Sequence, residues 1–197
     1  MQILHPFAGT VQQYVKQLDD ADRYRPCHCP QCPAKNPLIA HGFYARTIVD
    51  SNFDGTIRVR RYLCLACQRT VSLLPEFALP YLRSSLAVIA LFLVARFLQA
   101  KSLVAALPCS APYQRGQFWV RRFRSRAEAL CASLAACATP AAAHNFTQRA
   151  LTMLETIGWI PAHRFLFAEL REHLLGWPRS LAPHGRRAAL SSVAAPV

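Results

Sequence analysis

The sequence predicts an α+β protein in which a small antiparallel sheet is followed by a mainly α-helical domain. Two observations support this fold class. Residues typical of strands fill the segment between two C-x-x-C pairs, and the apolar residues adopt helical spacing from residue 84 onwards. A hydrophobic content of 53% in a chain of 197 residues is sufficient for one compact domain or two small ones.

The chain is strongly basic, with a formal charge of +13 that comes mostly from arginine. Arginine suits phosphate groups and guanine edges, so this charge favours a nucleic acid as the partner. A GC-rich codon usage would also raise the arginine, alanine and proline content, and this explanation stays open.

Residues 1–22 are predicted to contribute an N-terminal helix, because "TVQQYVKQL" has an amphipathic pattern that would cover the sheet. Nothing in the first residues resembles a secretory signal. The most apolar run, residues 86–95, is shorter than the about 20 residues that a bilayer span requires, and it predicts a fully buried helix. We therefore expect a cytoplasmic protein without a membrane partner, whose cysteines bind metal or are buried.

The two C-x-x-C pairs are the most specific motif of the sequence. A tight turn at this spacing lets two thiolates bind one tetrahedral zinc ion while neighbouring amides point at the sulfur atoms. We predict one zinc per chain, with the ligands Cys29, Cys32, Cys64 and Cys67. Cys27, across a wider loop, and His28 are alternative ligands, whereas His41 is expected to be a structural or surface residue.

The segment between the cysteine pairs predicts a β-hairpin. Residues 38–49 and 56–64 are rich in β-branched and aromatic side chains, and Asp54-Gly55 is a favourable hairpin turn between them. A third short strand follows the second pair. This layout is a zinc ribbon, which we assign to residues 23–80. Pro33 and Gln68 stand where glycine would make the two cysteine turns easier.

Residues 81–130 predict a helix-turn-helix domain. A helix over 84–99 is followed by a short helix over 102–107 and by a longer third helix that Ser110 would cap. One face of the third helix has the apolar side chains Trp119, Phe123, Ala127 and Leu130. Gly116 weakens the helix prediction slightly.

The third helix is also the candidate DNA-binding element. Between residues 80 and 126 the chain has eight basic side chains and no acidic one, whereas a solvated helix face normally has both signs. Glutamine and arginine recognise adenine and guanine edges in the major groove. The candidates for base contacts share one face and are Gln114, Gln117, Arg121 and Arg124; Arg115 is a further DNA-binding candidate. The candidates for phosphate contacts are Arg83, Lys101, Arg122 and Arg126. A basic surface helix in a bundle is the alternative.

The C-terminal third has less informative patterns. Residues 131–177 predict a helical extension, with two helices separated by Pro161, that packs on the bundle or mediates dimerisation. His163 and His173 are expected at the surface. Residues 178–197 predict a disordered basic tail.

The cysteine pairs, the run "RRYLC" and the helix-turn-helix ending in "FWVRRF" resemble the zinc-ribbon and helix-turn-helix region of bacterial insertion-sequence transposases. The resemblance covers about residues 24–123 and is greatest to small transposase-related proteins that have only this region. It implies a module that binds DNA ends, in which the third helix reads the sequence.

The resemblance does not extend to catalysis, because transposase nucleases hold two metal ions with three carboxylates of a separate domain. Beyond residue 126 the acidic residues are Glu128, Glu155, Glu169 and Glu172. We expect a zinc-dependent DNA-binding protein that is not an enzyme, either the remnant of a mobile element or an accessory regulator. Its expected partners are double-stranded DNA and a transposase or a second copy of the chain. The alternatives are a zinc-stabilised protein–protein interaction module and a subunit of a transposase whose nuclease is on another chain.

Overall fold

The computed structural model confirms the α+β fold class, with a sheet in the N-terminal half followed by helices. It describes residues 2–17, 24–108, 111–139 and 142–176. The predicted tail at 178–197 and the predicted cap Ser110 lie outside the described residues.

Within these described ranges, the sheet has four strands: β1 (Gln2–His5), β2 (Leu38–Asp50), β3 (Phe53–Cys64) and β4 (Thr70–Pro75). Their order across the sheet is β1-β4-β3-β2. β2 and β4 each pair with β3 in antiparallel fashion, and β1 pairs with β4 in parallel. The sheet is therefore mixed, and the prediction that it is antiparallel is wrong for its first strand.

The N-terminal segment contains the helix predicted from "TVQQYVKQL", but within the described residues it also contains a strand that was not predicted. It begins with β1, which pairs with the backbone groups along the otherwise open edge of β4. The helix is limited to α1 (Val11–Lys16), which Thr10 and Gln13 begin with a capping box. α1 packs on one face of the sheet, where the Tyr14 hydroxyl donates a hydrogen bond to the Arg58 carbonyl at 3.1 Å. We call this face the inner face.

The hairpin turn between β2 and β3 lies at Ser51-Asn52 instead of at the predicted Asp54-Gly55. With this turn, Asp50 accepts a hydrogen bond from Ser85 Oγ at 2.5 Å, and Asp54 pairs with Arg83 at 3.2 Å. The turn is therefore fixed by contacts with the following helical region, which local turn propensity does not include.

The helical half contains α2 (Leu86–Phe97), α3 (Leu103–Ala106), α4 (Tyr113–Leu134), α5 (Phe146–Ile157) and α6 (Trp159–Leu170). Serine side chains cap α2 and α3, whereas the N-cap of α4 is Pro112, which provides no side-chain hydrogen bond. The two predicted helices of the C-terminal extension are α5 and α6.

α2 is not fully buried, contrary to the prediction. Leu91 is 64% exposed and Leu98 41% exposed, whereas Ile89 and Leu93 are completely buried. The other helices pack on one side of α2, so its opposite side meets solvent.

None of the described helices is long and apolar enough to span a membrane.

Among the described residues, the helical core is a cluster of 20 buried residues from α2, α4, α5, α6 and the segments beside them. The predicted apolar face of α4 lies in it: Trp119, Phe123, Ala127 and Leu130 are at most 1% exposed. The spacing of these residues therefore predicted the buried side of α4 correctly.

α6 joins the helical half to the sheet. Phe167 belongs to the apolar cluster on the inner face, together with Ile48, Ile57 and Val59. In the same region the buried Glu76 carboxylate accepts hydrogen bonds from the Arg164 guanidinium at 2.8 to 3.0 Å and from the Phe7 amide at 3.1 Å.

The expectation that His163 and His173 lie at the surface is wrong for His163, and His173 is half-buried. His163 is completely buried, and its Nδ1 lies 3.1 Å from the Glu76 carbonyl oxygen while its Nε2 lies 3.0 Å from His173 Nδ1. Because the carbonyl can only accept, Nδ1 of a neutral His163 donates to it and Nε2 accepts from His173. Burial lowers the pKa of His163 to about 4, and burial with the charges of His163 and Arg46 lowers that of His173 to about 3.

Candidate metal centre and nucleic-acid interface

The structure brings the four cysteines of the C-x-x-C pairs together at one end of the sheet. Their sulfur atoms all lie within 4.8 Å of one another. The Cys29–Cys67 sulfurs are 3.8 Å apart and the Cys32–Cys64 sulfurs 3.7 Å. A tetrahedron of thiolates around zinc, with Zn–S bonds of about 2.3 Å, has edges of about 3.8 Å. The cluster could therefore hold one metal ion of this type.

Two turns position the sulfurs. In the first, the Gln31 amide points at Cys29 Sγ at 3.4 Å. In the second, Gln68 adopts a left-handed conformation with φ of +56°, and its amide donates to the Cys64 carbonyl at 2.9 Å. Its side chain donates to the Leu65 carbonyl at 2.8 Å. Gln68 thus supplies the turn for which the sequence lacks glycine, at a cost in backbone strain.

The thiols of the cluster differ in acidity. Burial opposes ionisation of Cys64, but hydrogen bonds from the Cys67 and Ala66 amides and from the neighbouring thiols outweigh it and lower its pKa to about 7. The Ala34 amide favours the thiolate of Cys32, yet burial and the adjacent thiols raise its pKa to about 12. A cation at the centre of the cluster would favour the thiolate form of all four.

The alternative ligands lie outside this cluster. Cys27 is exposed and its sulfur lies 2.9 Å from Nδ1 of the adjacent His28, which is also exposed. His41 is exposed at the β-bulge of β2. Among the described residues, the group of three or more side chains that could hold a metal consists of the two C-x-x-C pairs.

The second candidate site is the solvent face of α4. Gln114, Gln117, Arg121 and Arg124 are all exposed, on the side away from the buried Trp119. They share one side of the helix, as the 3.6-residue period predicts.

A shallow depression lies beside this face, between α2, α3 and α4. Its lining consists of Arg96, Leu103, Gln117, Val120, Arg121, Arg124 and Ser125. Arg124 and Arg96 both stack on Phe97, with their guanidinium carbons 5.3 and 5.7 Å from the ring centroid. Arg96 was not among the predicted DNA-binding residues. Its position as a basic residue in the last turn of an otherwise apolar helix could have indicated it.

Gly116 explains how α3 approaches α4. A Cβ atom at this buried position would lie 2.8 Å from a methyl carbon of Leu107 and 3.3 Å from one of Leu103. The leucines of the short helix therefore pack directly on the α4 backbone. The residue that weakened the helix prediction is the one that permits the close contact between these two helices.

The predicted phosphate-binding residues are not equally available. Arg122 donates to the Leu175 carbonyl at 3.1 Å, and Arg126 forms an ion pair with Glu172, so both contact the C-terminal segment. Arg83 pairs with Asp54. Lys101 is exposed, and Arg115 is half-buried near the start of α4.

Residues 29–105 are similar to a protein family described as a domain of unknown function (DUF6431). The matched segment contains all four cysteines, β2 to β4, α2 and most of α3, and it ends before α4. No curated protein and no solved structure has significant similarity to the chain.

Proposed function

We propose that this chain is a zinc-dependent DNA-binding protein related to transposases, in which α4 enters the major groove of double-stranded DNA. The observation that carries the proposal is the division of α4 into two sides. One side is the buried Trp119 stripe, and the other presents exposed glutamine and arginine residues without an acidic neighbour before Glu128.

The arrangement of α2, α3 and α4 supports this proposal. In a helix-turn-helix, a second helix packs across the recognition helix and leaves the solvent side of the latter open to the groove. The close contact of α3 with Gly116, and the exposed Gln114, Gln117 and Arg121 on another side of α4, agree with that arrangement.

Zinc is the metal that the cysteine cluster would hold in this proposal. Four thiolates at tetrahedral spacing are typical of structural zinc, which has no open coordination position. The zinc would stabilise the end of the sheet where Cys29 and Cys64 are buried, and it has no part in chemistry.

The proposal includes no catalytic step. The described residues contain no group of three carboxylates that could hold the two metal ions of a transposase nuclease. We expect supercoiled plasmid to stay intact when it is incubated with the purified chain and magnesium or manganese. Nicking that disappears in Glu155→Gln or Glu169→Gln would show that the chain is an enzyme.

The experiment that tests DNA binding is a titration of selected and scrambled duplexes at two salt concentrations. Arg121→Ala should cost roughly 1–3 kcal/mol on the selected duplex and much less on the scrambled one, because a base contact is lost. Lys101→Ala should weaken both duplexes equally and reduce the salt slope by about 1. If no duplex binds better than another, sequence reading by α4 is refuted.

A protein partner is the second candidate function, and the exposed apolar side of α2 and α3 favours it. Leu91 is 64% exposed and Val104 69% exposed. Sedimentation equilibrium at rising protein concentration tests whether a second copy binds there. Association that Leu91→Gln abolishes would support this candidate, and a monomer at every concentration would oppose it.

A further inference from the structure

The sheet has a second face, opposite to the one on which α1 packs. In the antiparallel pairing of β2 with β3, directly opposed residues point to the same side. Tyr44 opposite Val59 lies on the inner face. The next pairs on the other side are Phe43 with Arg60, Ala45 with Arg58, and Thr47 with Thr56. We call these three pairs the open face.

Solvent reaches most of the open face. Ala45, Thr47, Arg58 and Thr56 are all exposed, whereas the inner face beside them is buried. A sheet that packs on one side only normally places polar residues on the other. Here, however, none of the polar groups of these pairs is negatively charged: they are two guanidinium groups and two hydroxyls, with the small Ala45 between them.

Phe43 holds the arginines in place. The guanidinium carbon of Arg58 lies 4.2 Å from the Phe43 ring centroid and that of Arg60 lies 4.7 Å from it. Arg60 also lies 5.3 Å from the Tyr62 centroid and is buried, so the exposed donor groups belong to Arg58. Stacking restricts the long side chain before any partner binds, and this lowers the entropy lost on binding.

The charge of this face is not balanced locally. The next pair towards the turn is Val49 with Asp54, and Asp54 already pairs with Arg83. None of the three pairs of the open face includes a carboxylate. The face is therefore complementary to a polyanion.

We propose that the open face of the β2–β3 hairpin is a second DNA-binding surface, which contacts phosphates of a duplex through Arg58, Thr47 and Thr56. The contact is with the backbone because the Phe43 ring is already covered by guanidinium groups and cannot stack on a base. It adds affinity without sequence preference, since phosphate contacts position a protein and base contacts specify the sequence. The inference rests on the proposed function, because it concerns the same duplex.

The test compares Arg58→Gln with Lys16→Gln in the full-length, zinc-loaded protein. Lys16 is exposed on α1, on the opposite side of the sheet, so its variant removes the same charge away from the open face. Titration of a scrambled duplex over a range of salt should show an affinity about five- to tenfold lower for Arg58→Gln near 0.1 M salt, with a salt slope smaller by about 1. Lys16→Gln should behave like the wild type.

Two further variants separate a charge contact from a folding defect. Arg58→Lys keeps the charge and should restore the salt slope, and Thr56→Val should weaken binding without changing that slope. Zinc content should be equal in all variants. If Arg58→Gln loses no more affinity than Lys16→Gln, or if Arg58→Lys does not restore the slope, the open face does not bind phosphates. Binding that Arg121→Ala reduces and Arg58→Gln does not would refute this inference and leave the proposed function standing, whereas a wild type that binds no duplex would refute both.

Discussion

The cysteine end of the sheet and the helical half differ in how much apolar core holds them together. In the part of the chain that the structure describes, the buried cluster beside the cysteines has six residues, and two of them are Cys29 and Cys64 themselves. The helical cluster has 20 buried residues, including Trp119, Phe92 and Phe123. A cluster as small as the first cannot offset the entropy of ordering its turns, whereas the second resembles the core of a small domain.

This difference indicates that the two regions unfold for different reasons. We expect the cysteine end to depend on a bound metal, because four neighbouring thiols attract one another little without a cation between them. The helical half depends on the packing of large side chains. α6 belongs to the helical half and joins it to the inner face of the sheet, where Phe167 packs, while Leu166 lies in the helical core. This junction also contains polar groups, because Glu76 contacts His163 and Arg164 of α6.

The largest effect is expected from removal of a metal ligand. Cys64→Ser should lose the zinc, and with it roughly 10 kcal/mol or more of the free energy that orders the cysteine end. Metal analysis should give about one zinc per wild-type chain. Hydrogen exchange should then become fast in β3 and β4 and stay slow in α4. Cys27→Ser is the control and should keep its zinc; if it loses the ion instead, the ligand assignment is wrong.

The second effect is the loss of packing in the helical half. Trp119→Ala should lower the free energy of unfolding by about 3–5 kcal/mol, because a completely buried indole is removed. Gln117→Ala, at an exposed position of the same helix, should change it by less than about 0.5 kcal/mol. Both variants should still bind one zinc. Loss of zinc from Trp119→Ala would show that the two regions do not fold separately.

A smaller effect concerns the junction, where His163 lies between Glu76 and His173, with Arg164 and Arg46 nearby. Above pH 6.5 the histidine is neutral in both the folded and the unfolded chain. Below it only the unfolded chain takes up the proton, until the folded pKa of about 4 is reached. The contribution of His163 to the free energy of unfolding should therefore decrease as the pH is lowered from 6.5 to 4, by roughly 3 kcal/mol at about 1.4 kcal/mol per pH unit. The lowered pKa of His173 adds a contribution of the same sign.

Denaturant titrations of wild type and His163→Gln between pH 4 and pH 8 measure this contribution. Groups far from the junction titrate alike in both proteins, so the difference between the two curves belongs to His163 and its partner His173. A wild type whose pH dependence equals that of His163→Gln would contradict a buried neutral His163.

The smallest effect is expected at the left-handed Gln68. Gln68→Val should destabilise the cysteine end by about 1–2 kcal/mol, because a β-branched residue is disfavoured at positive φ. Gln68→Gly should stay within about 1 kcal/mol of the wild type, since glycine relieves the strain but loses the hydrogen bond to Leu65. Zinc competition with a chelator measures both. Equal affinities for the two variants would mean that the turn is not strained.

Local patterns predicted much of this molecule. The C-x-x-C pairs indicated which cysteines would meet, and the spacing of Trp119, Phe123 and Leu130 indicated the buried side of α4. Both inferences need only the geometry of a few neighbouring residues. The exposed positions of Gln117 and Arg121 followed from the same periodicity.

Contacts between distant segments were not predictable in this way. β1 pairs with a strand that lies 70 residues further along the chain, and four residues are too few to show alternation. His163 can be buried because its Nδ1 donates to the carbonyl of Glu76, a residue 87 positions away in the sequence. The hairpin turn at Ser51-Asn52 is set by contacts of Asp50 and Asp54 with the segment that leads into α2.

The central claim is that α4 reads bases in the major groove, and guanine N7 methylation interference on a selected duplex tests it most directly. The N7 atom faces the major groove, where an arginine can bind it together with O6. With the wild type, methylation of particular guanines should prevent binding. With Arg121→Ala, the interference should disappear at one of these guanines and remain at the others. An interference pattern that is unchanged by Arg121→Ala, or the complete absence of interference at guanine N7, would contradict the claim.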